Sequence, residues 1–353
     1  MIGASISHTH GGNLDWAARA LGCATAEILD FSASINPLGM PATVRSAIWE
    51  ALPRVGAYPD RDYQDLRWAI GQHHQVDPSW VMPGNGAAEL LTWVAKDLAM
   101  VGAVGLVRPA FGDYDRALAA SGACTLALDS NNLLASTQAR AILVNNPHNP
   151  TGKLWRRTEL LALLDRFELV VIDEAFMDFL GDRESLIGEV TRFPNLVILR
   201  SLTKFYAIPG LRIGYAIATP DRLRRWQGWR DPWSVNVLAQ AAAIAGLGDH
   251  EFQQRTWNWL PTAADHLFRG LSQIKGLVPQ PSVANFFLVK TEISSLELRE
   301  YLLLNHRILI RDCLSFPELG DRYFRVSVQT IANQTRLLAA LAEAQTRLQF
   351  REI

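Results

Sequence analysis

From about Pro83 to Leu247 short β-type runs alternate with helical patterns, and this alternation limits the possible folds more than any other feature. AVGLV (103–107) is followed by a helical stretch near 112–121 and then by CTLAL (124–128). AILVNN (141–146) precedes a helix around 157–167, and ELVVID (168–173), LVILRSL (196–202) and RIGYAIA (212–218) complete the set. Several of these runs are apolar throughout instead of alternating, as strands buried on both faces are. Strand–helix–strand succession over such a length predicts an α/β fold, a mainly parallel sheet covered by helices.

The C-terminal third follows a different pattern. A helix near 261–275, the strand NFFLVK (285–290), a helix near 295–305, the runs ILIRD (308–312) and YFRVSV (323–328), and a closing helix over 332–349 predict a smaller α+β domain. Residues 1–45, rich in Gly, Pro, Ser and Asn, read as an arm joining that domain. The expected division is an arm (1–45), a large domain (46–247) and a small C-terminal domain (248–353), in line with about two domains for 353 residues.

Charge and cysteine usage narrow the functional classes. With 34 Lys plus Arg against 35 Asp plus Glu, the chain carries no electrostatic footprint for nucleic acid or an anionic membrane. Cys23, Cys124 and Cys313 are dispersed and odd in number, so no disulfide framework is expected and a reducing, cytoplasmic setting fits. The opening MIGASISHTHGGN lacks the pattern of a signal peptide. The longest apolar stretch, Leu90 to Val107, is broken by Lys96 and Asp97 and is too short to span a bilayer. No metal site is expected, because neither His8/His10 nor His73/His74 has a Cys or Glu partner at suitable spacing.

Only five of the 34 cations are lysines. One of them, Lys204, lies in Ser201-Leu202-Thr203-Lys204, directly after a predicted buried strand, where open α/β sheets place their ligands. Three further elements accompany it: Asn149-Pro150-Thr151-Gly152 after AILVNN, Asp173-Glu174-Ala175-Phe176 ending ELVVID, and Gly84-Asn85-Gly86-Ala87 opening a helix. NPTG, an Asp at a strand end, and SxxK with Arg212 eight residues beyond the Lys, in this order, resemble the fold-type I, pyridoxal-phosphate-dependent transferases of aminotransferase class I/II.

That resemblance implies a cofactor, pyridoxal 5'-phosphate, and a role for each matching residue. Lys204 would hold the cofactor aldehyde through its amine and, once freed, shuttle protons. Asp173 would keep the ring nitrogen protonated, and Asn149 would donate to the ring hydroxyl. Gly86 and Ala87, at a helix N-terminus, together with Ser201 and Arg212, would bind the cofactor phosphate. Phe111 falls where the family stacks an aromatic ring on the pyridine. Tyr58, in Tyr58-Pro59-Asp60, matches a tyrosine that reaches the phosphate of the neighbouring subunit, which implies a homodimer with shared active sites.

Two activities of the family compete. His10-Gly11-Gly12-Asn13, the run Asp30 to Gly39, Arg200 to Gly214, Pro232 to Asn236 and Ile308 to Cys313 resemble the threonine-phosphate decarboxylases of cobalamin biosynthesis; the alternative is a histidinol-phosphate or related aminotransferase. Phe176 favours decarboxylation, because the aminotransferases usually carry Tyr there and Phe cannot bond the ring oxygen. Ser34 departs from the decarboxylase pattern, which has Asn. The expected substrate is a phosphorylated amino acid, L-threonine O-3-phosphate, with Arg325 on its α-carboxylate and Arg311, His10 and Asn36 near its phosphate.

Overall fold

The computed structural model of the protein describes residues 11–134 and 138–349. They divide into two compact units. One takes in the chain up to Pro37, Pro150–Lys153 and the chain from Asn258 on; the other is formed by Leu38–Asn149 and Leu154–Trp257.

In the larger unit, seven strands among the described residues form one sheet. Their spatial order is Val81–Gly84, Gly214–Ile217, Leu196–Ser201, Leu169–Asp173, Ala141–Asn145, Val104–Arg108 and Thr125–Asp129. The last five pair in parallel. Gly214–Ile217 runs antiparallel to both of its neighbours. The segment between Ser201 and Gly214 holds only a one-turn helix, Leu202–Phe205, and a 3-10 turn, Pro209–Leu211. Without a crossover helix the chain doubles back beside the strand it has just left. Pro83 sits in the edge strand Val81–Gly84, where a residue without an N–H is tolerated.

The continuous apolar runs form the core, as their composition predicts. Ile142, Leu143, Val144, Val170, Val171, Ile172, Val197 and Ile198 are fully buried. Helices Ala87–Val101 and Gly112–Ala120 cover one face through Leu90, Val94, Leu98, Tyr114 and Leu118, which join Leu106, Leu143, Val171 and Leu199 in one cluster. Helix Ala42–Ala51 packs along Val237–Leu247 in the same unit. Leu143→Ala removes a side chain with no room to relax and is expected to cost about 2–5 kcal/mol, read as a lower urea midpoint at unchanged slope.

In the smaller unit, Tyr323–Ser327 pairs antiparallel with both Phe286–Thr291 and Arg311–Asp312, and Leu277–Pro279 completes the sheet. The run 308–312, expected as one strand, is two. Ile308–Leu309 pairs in parallel with Leu29–Asp30, whereas Arg311–Asp312 joins the larger sheet of the unit. This partner switch anchors the arm, with Phe31 N donating to Leu309 O and Ser327 N donating to Phe31 O. The helix expected to start at Pro261 begins at His250 and holds the proline in its interior.

Candidate active site

The parallel strands of the larger unit end in register, with Asn145 opposite Asp173 and Asp173 opposite Leu199. Asp173 is 7% exposed. Tyr114 donates its hydroxyl to Asp173 Oδ2 at 2.6 Å, and the Ala175 amide donates to Oδ1 at 2.9 Å. Burial nevertheless raises the Asp173 pKa, although Tyr114, the Ala175 amide and the charge on Lys204 all pull it down. A carboxylate left under-compensated in this way suits a buried cationic partner supplied from outside the chain, such as a protonated ring nitrogen.

Asn145 ties this strand end to the next loop. Its Nδ2 donates to Asp173 O at 2.8 Å and its Oδ1 accepts from Asn149 N at 2.7 Å, so Asn149 is set beside the carboxylate strand. Asn149 itself is buried. Lys204 stands on the one-turn helix after Ser201, with Nζ 3.3 Å from Ser201 Oγ and 5.3 Å from the centroid of the buried Phe176 ring. Phe111 precedes helix Gly112–Ala120 and meets Tyr114 edge-on, ring centroids 5.5 Å apart. Thus Asp173, Asn149, Lys204, Phe111 and Phe176 gather at one end of the sheet.

An anion cradle lies at the same end. The pairing of Gly84 and Ser201 with Gly214 brings the N-terminus of helix Ala87–Val101 beside Ser201. A Cβ on Gly214 would lie 2.8 Å from Ala87 N, so only glycine permits this approach. Gly86 has φ +75°, and a Cβ there would lie 2.7 Å from Arg212 Nη2. Free helix amides, a guanidinium and the Ser201 hydroxyl therefore converge on one place, as a phosphate requires. The larger unit thus fits pyridoxal phosphate at both ends of the molecule, ring and phosphate. Tyr58 is not part of this buried group; it is 80% exposed and leans on Trp233 at 4.6 Å.

Behind the site, Arg200 is fully buried and reaches Glu174 at 2.9 Å, Asp178 at 2.7 Å and Asp182 at 2.6 Å. One cation among three carboxylates splits their protonation: burial lifts Asp178 to about 7, while Arg200 and His74 hold Asp182 low. Because Arg200 precedes Ser201 and Glu174 follows Asp173, this network pins the two strand ends that carry Ser201 and Asp173. It also brings Asp182 to His73 and His74, a His–His–Asp group that sequence spacing does not reveal. His74 uses both ring nitrogens, on Tyr215 at 2.6 Å and on Asp182 at 3.3 Å.

The smaller unit holds the candidate substrate residues. Arg311 and Arg325 are direct cross-strand partners. Both are buried, and burial lowers both pKa values, that of Arg325 to about 10. Like charges facing each other on a sheet are unfavourable unless an anion lies between or beside them. Arg325 Nη2 donates to Ser32 O at 3.4 Å, and Arg311 bonds Ser315 Oγ. Ser32 is fixed by Asp30, whose Oδ1 accepts from its hydroxyl at 2.6 Å and its amide at 2.7 Å, while Ser32 Oγ accepts from Gly12 N at 2.8 Å. A cleft beside them is lined by Gly11, Gly12, Ser32, Arg299 and Arg311. Asn36 and Ser34 are buried in this unit, and Ser34 Oγ finds no hydrogen-bond partner among the described residues. His10 lies outside the described residues.

Tyr114, Asn145, Asp30 and Ser32 are the positioning residues that sequence reasoning did not single out. Asn145, Asp30 and Ser32 stand inside motifs quoted for other members. Tyr114 lies in an ordinary helix, and only the fold shows that its hydroxyl meets Asp173.

Residues 26–341 match the family model "Aminotransferase class I and II". The chain is 40% identical to the threonine-phosphate decarboxylase of Salmonella typhimurium, over 97% of this chain and 98% of that protein. It is 34% identical to histidinol-phosphate aminotransferase 2 of Ralstonia nicotianae, over 77% of each. The structure is similar to that of the L-threonine-O-3-phosphate decarboxylase from Porphyromonas gingivalis, with a TM-score of 0.84 and 27% identity, covering 91% of this chain and all of that one. With a family match over nearly all of its length and the fold to go with it, the chain belongs to the class I and II aminotransferases.

Proposed function

We propose that the protein is a pyridoxal-phosphate-dependent decarboxylase that converts L-threonine O-3-phosphate to CO2 and (R)-1-amino-2-propanol O-2-phosphate in cobalamin biosynthesis. The observation that carries this reading is the buried Arg311–Arg325 pair, because a substrate with both a carboxylate and a phosphate answers two facing guanidinium groups. The 40% identity to a decarboxylase of that substrate supports it.

When bound, pyridoxal phosphate supplies the electron sink for the pair released as a bond at the substrate Cα breaks. Gly86, Ala87, Ser201 and Arg212 would hold its phosphate, Asn149 its ring hydroxyl, Phe111 its ring face and Lys204 its aldehyde group. Asp173, oriented by Tyr114 and the Ala175 amide, would keep the proton on the ring nitrogen. Phe176 offers no hydroxyl beside Lys204. Arg325 grips the carboxylate, and Arg311, with His10 and Asn36, grips the phosphate. Gripping both ends would restrict rotation about Cα, and decarboxylation requires that the bond to the carboxylate be the one held for cleavage. Lys204 then delivers a proton to Cα, replacing the lost CO2.

Incubation of the purified protein with L-threonine O-3-phosphate should release CO2 in stoichiometric amount. Transamination of histidinol phosphate with 2-oxoglutarate, without CO2 release, is the outcome that overturns the proposal. Arg311→Gln removes one charge-assisted contact worth about 1.5–3 kcal/mol, so KM for the phosphorylated substrate should rise by about 10–100-fold while the cofactor stays bound.

The proposal includes a homodimer in the cytoplasm, with Tyr58 reaching the cofactor phosphate of the neighbouring subunit. In support, the larger unit leaves the large apolar side chains Trp49, Val55, Tyr58, Trp68 and Trp233 exposed, where a second subunit could cover them. No helix among the described residues is long and apolar enough to cross a membrane.

A further inference from the structure

A cavity of about 170 Å³ in the larger unit is lined by Arg61, Asp62, Tyr63, Arg67, Gln227 and Arg230, among others. None of these belongs to the residues assigned above to cofactor or substrate. Arg230 is the informative one, with a side chain only 4% exposed. Its Nη1 donates to Pro83 O at 2.6 Å, its Nε lies 3.2 Å from Glu89 Oε1, and its guanidinium rests 5.5 Å from the Tyr63 ring centroid. Its Nη2 finds no hydrogen-bond partner among the described residues.

Glu89 leaves Nη2 unbonded: its Oε1 lies nearest Nε, and both of its oxygens also accept from other donors. Oε2 accepts from Asn85 N at 2.6 Å and Oε1 accepts from Trp93 Nε1 at 3.2 Å. Arg67 spends its Nε on Pro78 O at 3.0 Å, which leaves its two terminal nitrogens for other partners. Three arginines thus line one cavity, and Asp62 is the only acidic residue among those that line it. A buried N–H of a cation without an acceptor is costly, and a planar fork of donors selects an oxyanion to fill the gap.

We propose that this cavity is a second oxyanion site, which takes a phosphate-type tetrahedral anion through Arg230, Arg67 and Arg61. It is separate from the cofactor cradle at Gly86, Ala87 and Arg212 and from the Arg311–Arg325 pair. It still touches the cofactor cradle indirectly: Arg230 holds Pro83, and Glu89 holds the Asn85 amide, so the two sides of the Gly84-Asn85-Gly86 turn end on this ion pair.

The test titrates inorganic phosphate into cofactor-loaded protein by calorimetry at constant ionic strength. An Arg311→Gln background removes phosphate binding in the smaller unit. One phosphate per chain should still bind, and adding Arg230→Gln should weaken it at least about tenfold. Arg67→Gln, a less buried change, should weaken it in the same direction and keeps the test decisive if Arg230→Gln fails to fold. Methyl phosphate in place of phosphate separates the two sources of the anion: equal affinity indicates a phosphate ester head, a marked preference for phosphate the free ion. A titration without any binding event, or one that neither substitution alters, overturns the proposal. Because no turnover is measured, the result stands apart from the decarboxylase reading.

Discussion

Lys204→Ala should abolish both the visible absorbance of the cofactor-loaded protein and all measurable CO2 release from L-threonine O-3-phosphate. In the proposed function the absorbance depends on a covalent bond between the Lys204 amine and the cofactor, and alanine has no atom to form it. Turnover should fall for a second reason, since the proposed function has the same amine return a proton to Cα; proton transfer by a positioned group contributes about 10²–10⁴-fold by itself. The fold should survive, because the one-turn helix Leu202–Phe205 is held by the buried Leu202 and Phe205 and not by the lysine, which is only partly buried. The apo variant should therefore unfold at the temperature of the apo wild type. A visible band that persists in the variant removes Lys204 from its role, and with it the order of events proposed at Cα.

How much of this could be read in the letters depended on what each residue's job demands of its neighbours. The parallel core was legible because strands such as Ile142–Val144 and Val170–Ile172 are buried on both faces and so must be apolar without a break. Hydropathy carries no direction, so nothing in RIGYAIA told that Gly214–Ile217 runs against its neighbours; the missing crossover helix does that. Val81–Gly84 is four residues long and contains Pro83, which looks like a turn until its edge position is known. In 308–312 the pattern reads as one strand, yet the chain changes partner at Ile310, and pairing is a long-range fact.

The proposed cofactor residues were legible for another reason. Lys204, Asp173, Asn149 and Arg212 sit in short motifs whose order along the chain is itself informative. The groups that orient them are less bound to a spacing. Tyr114 can bond Asp173 only because helix Gly112–Ala120 packs on the sheet, and Asp182 meets His74 more than a hundred residues away in sequence. The Arg311–Arg325 pairing likewise exists only once the register of two strands is known.

Asp173→Asn should separate what this carboxylate does for stability from what it does for chemistry. Asparagine keeps the size of the side chain; its Oδ1 can accept from the Ala175 amide and its Nδ2 can donate to the Tyr114 hydroxyl oxygen once that hydroxyl turns, so local geometry should hold. It removes the negative charge proposed to keep a proton on the ring nitrogen. Loss of one partner of a buried ion pair costs about 3–5 kcal/mol, which corresponds to a fall of about 10²–10⁴-fold in kcat. Stability of the apo protein should move the other way. Burial raises the Asp173 pKa in the folded state, so the folded protein holds this proton more tightly than the unfolded chain does. The ionised carboxylate then weakens the apo fold above the folded-state pKa, and that penalty fades as pH falls through it toward the unfolded value. Asparagine never ionises, so the apo variant should melt at or above the wild-type temperature at pH 8 and lose that advantage in acid. A variant that unfolds easily at pH 8 makes Asp173 a structural cap; one that is stable yet nearly inactive, with its cofactor still bound, makes it the partner of the ring nitrogen.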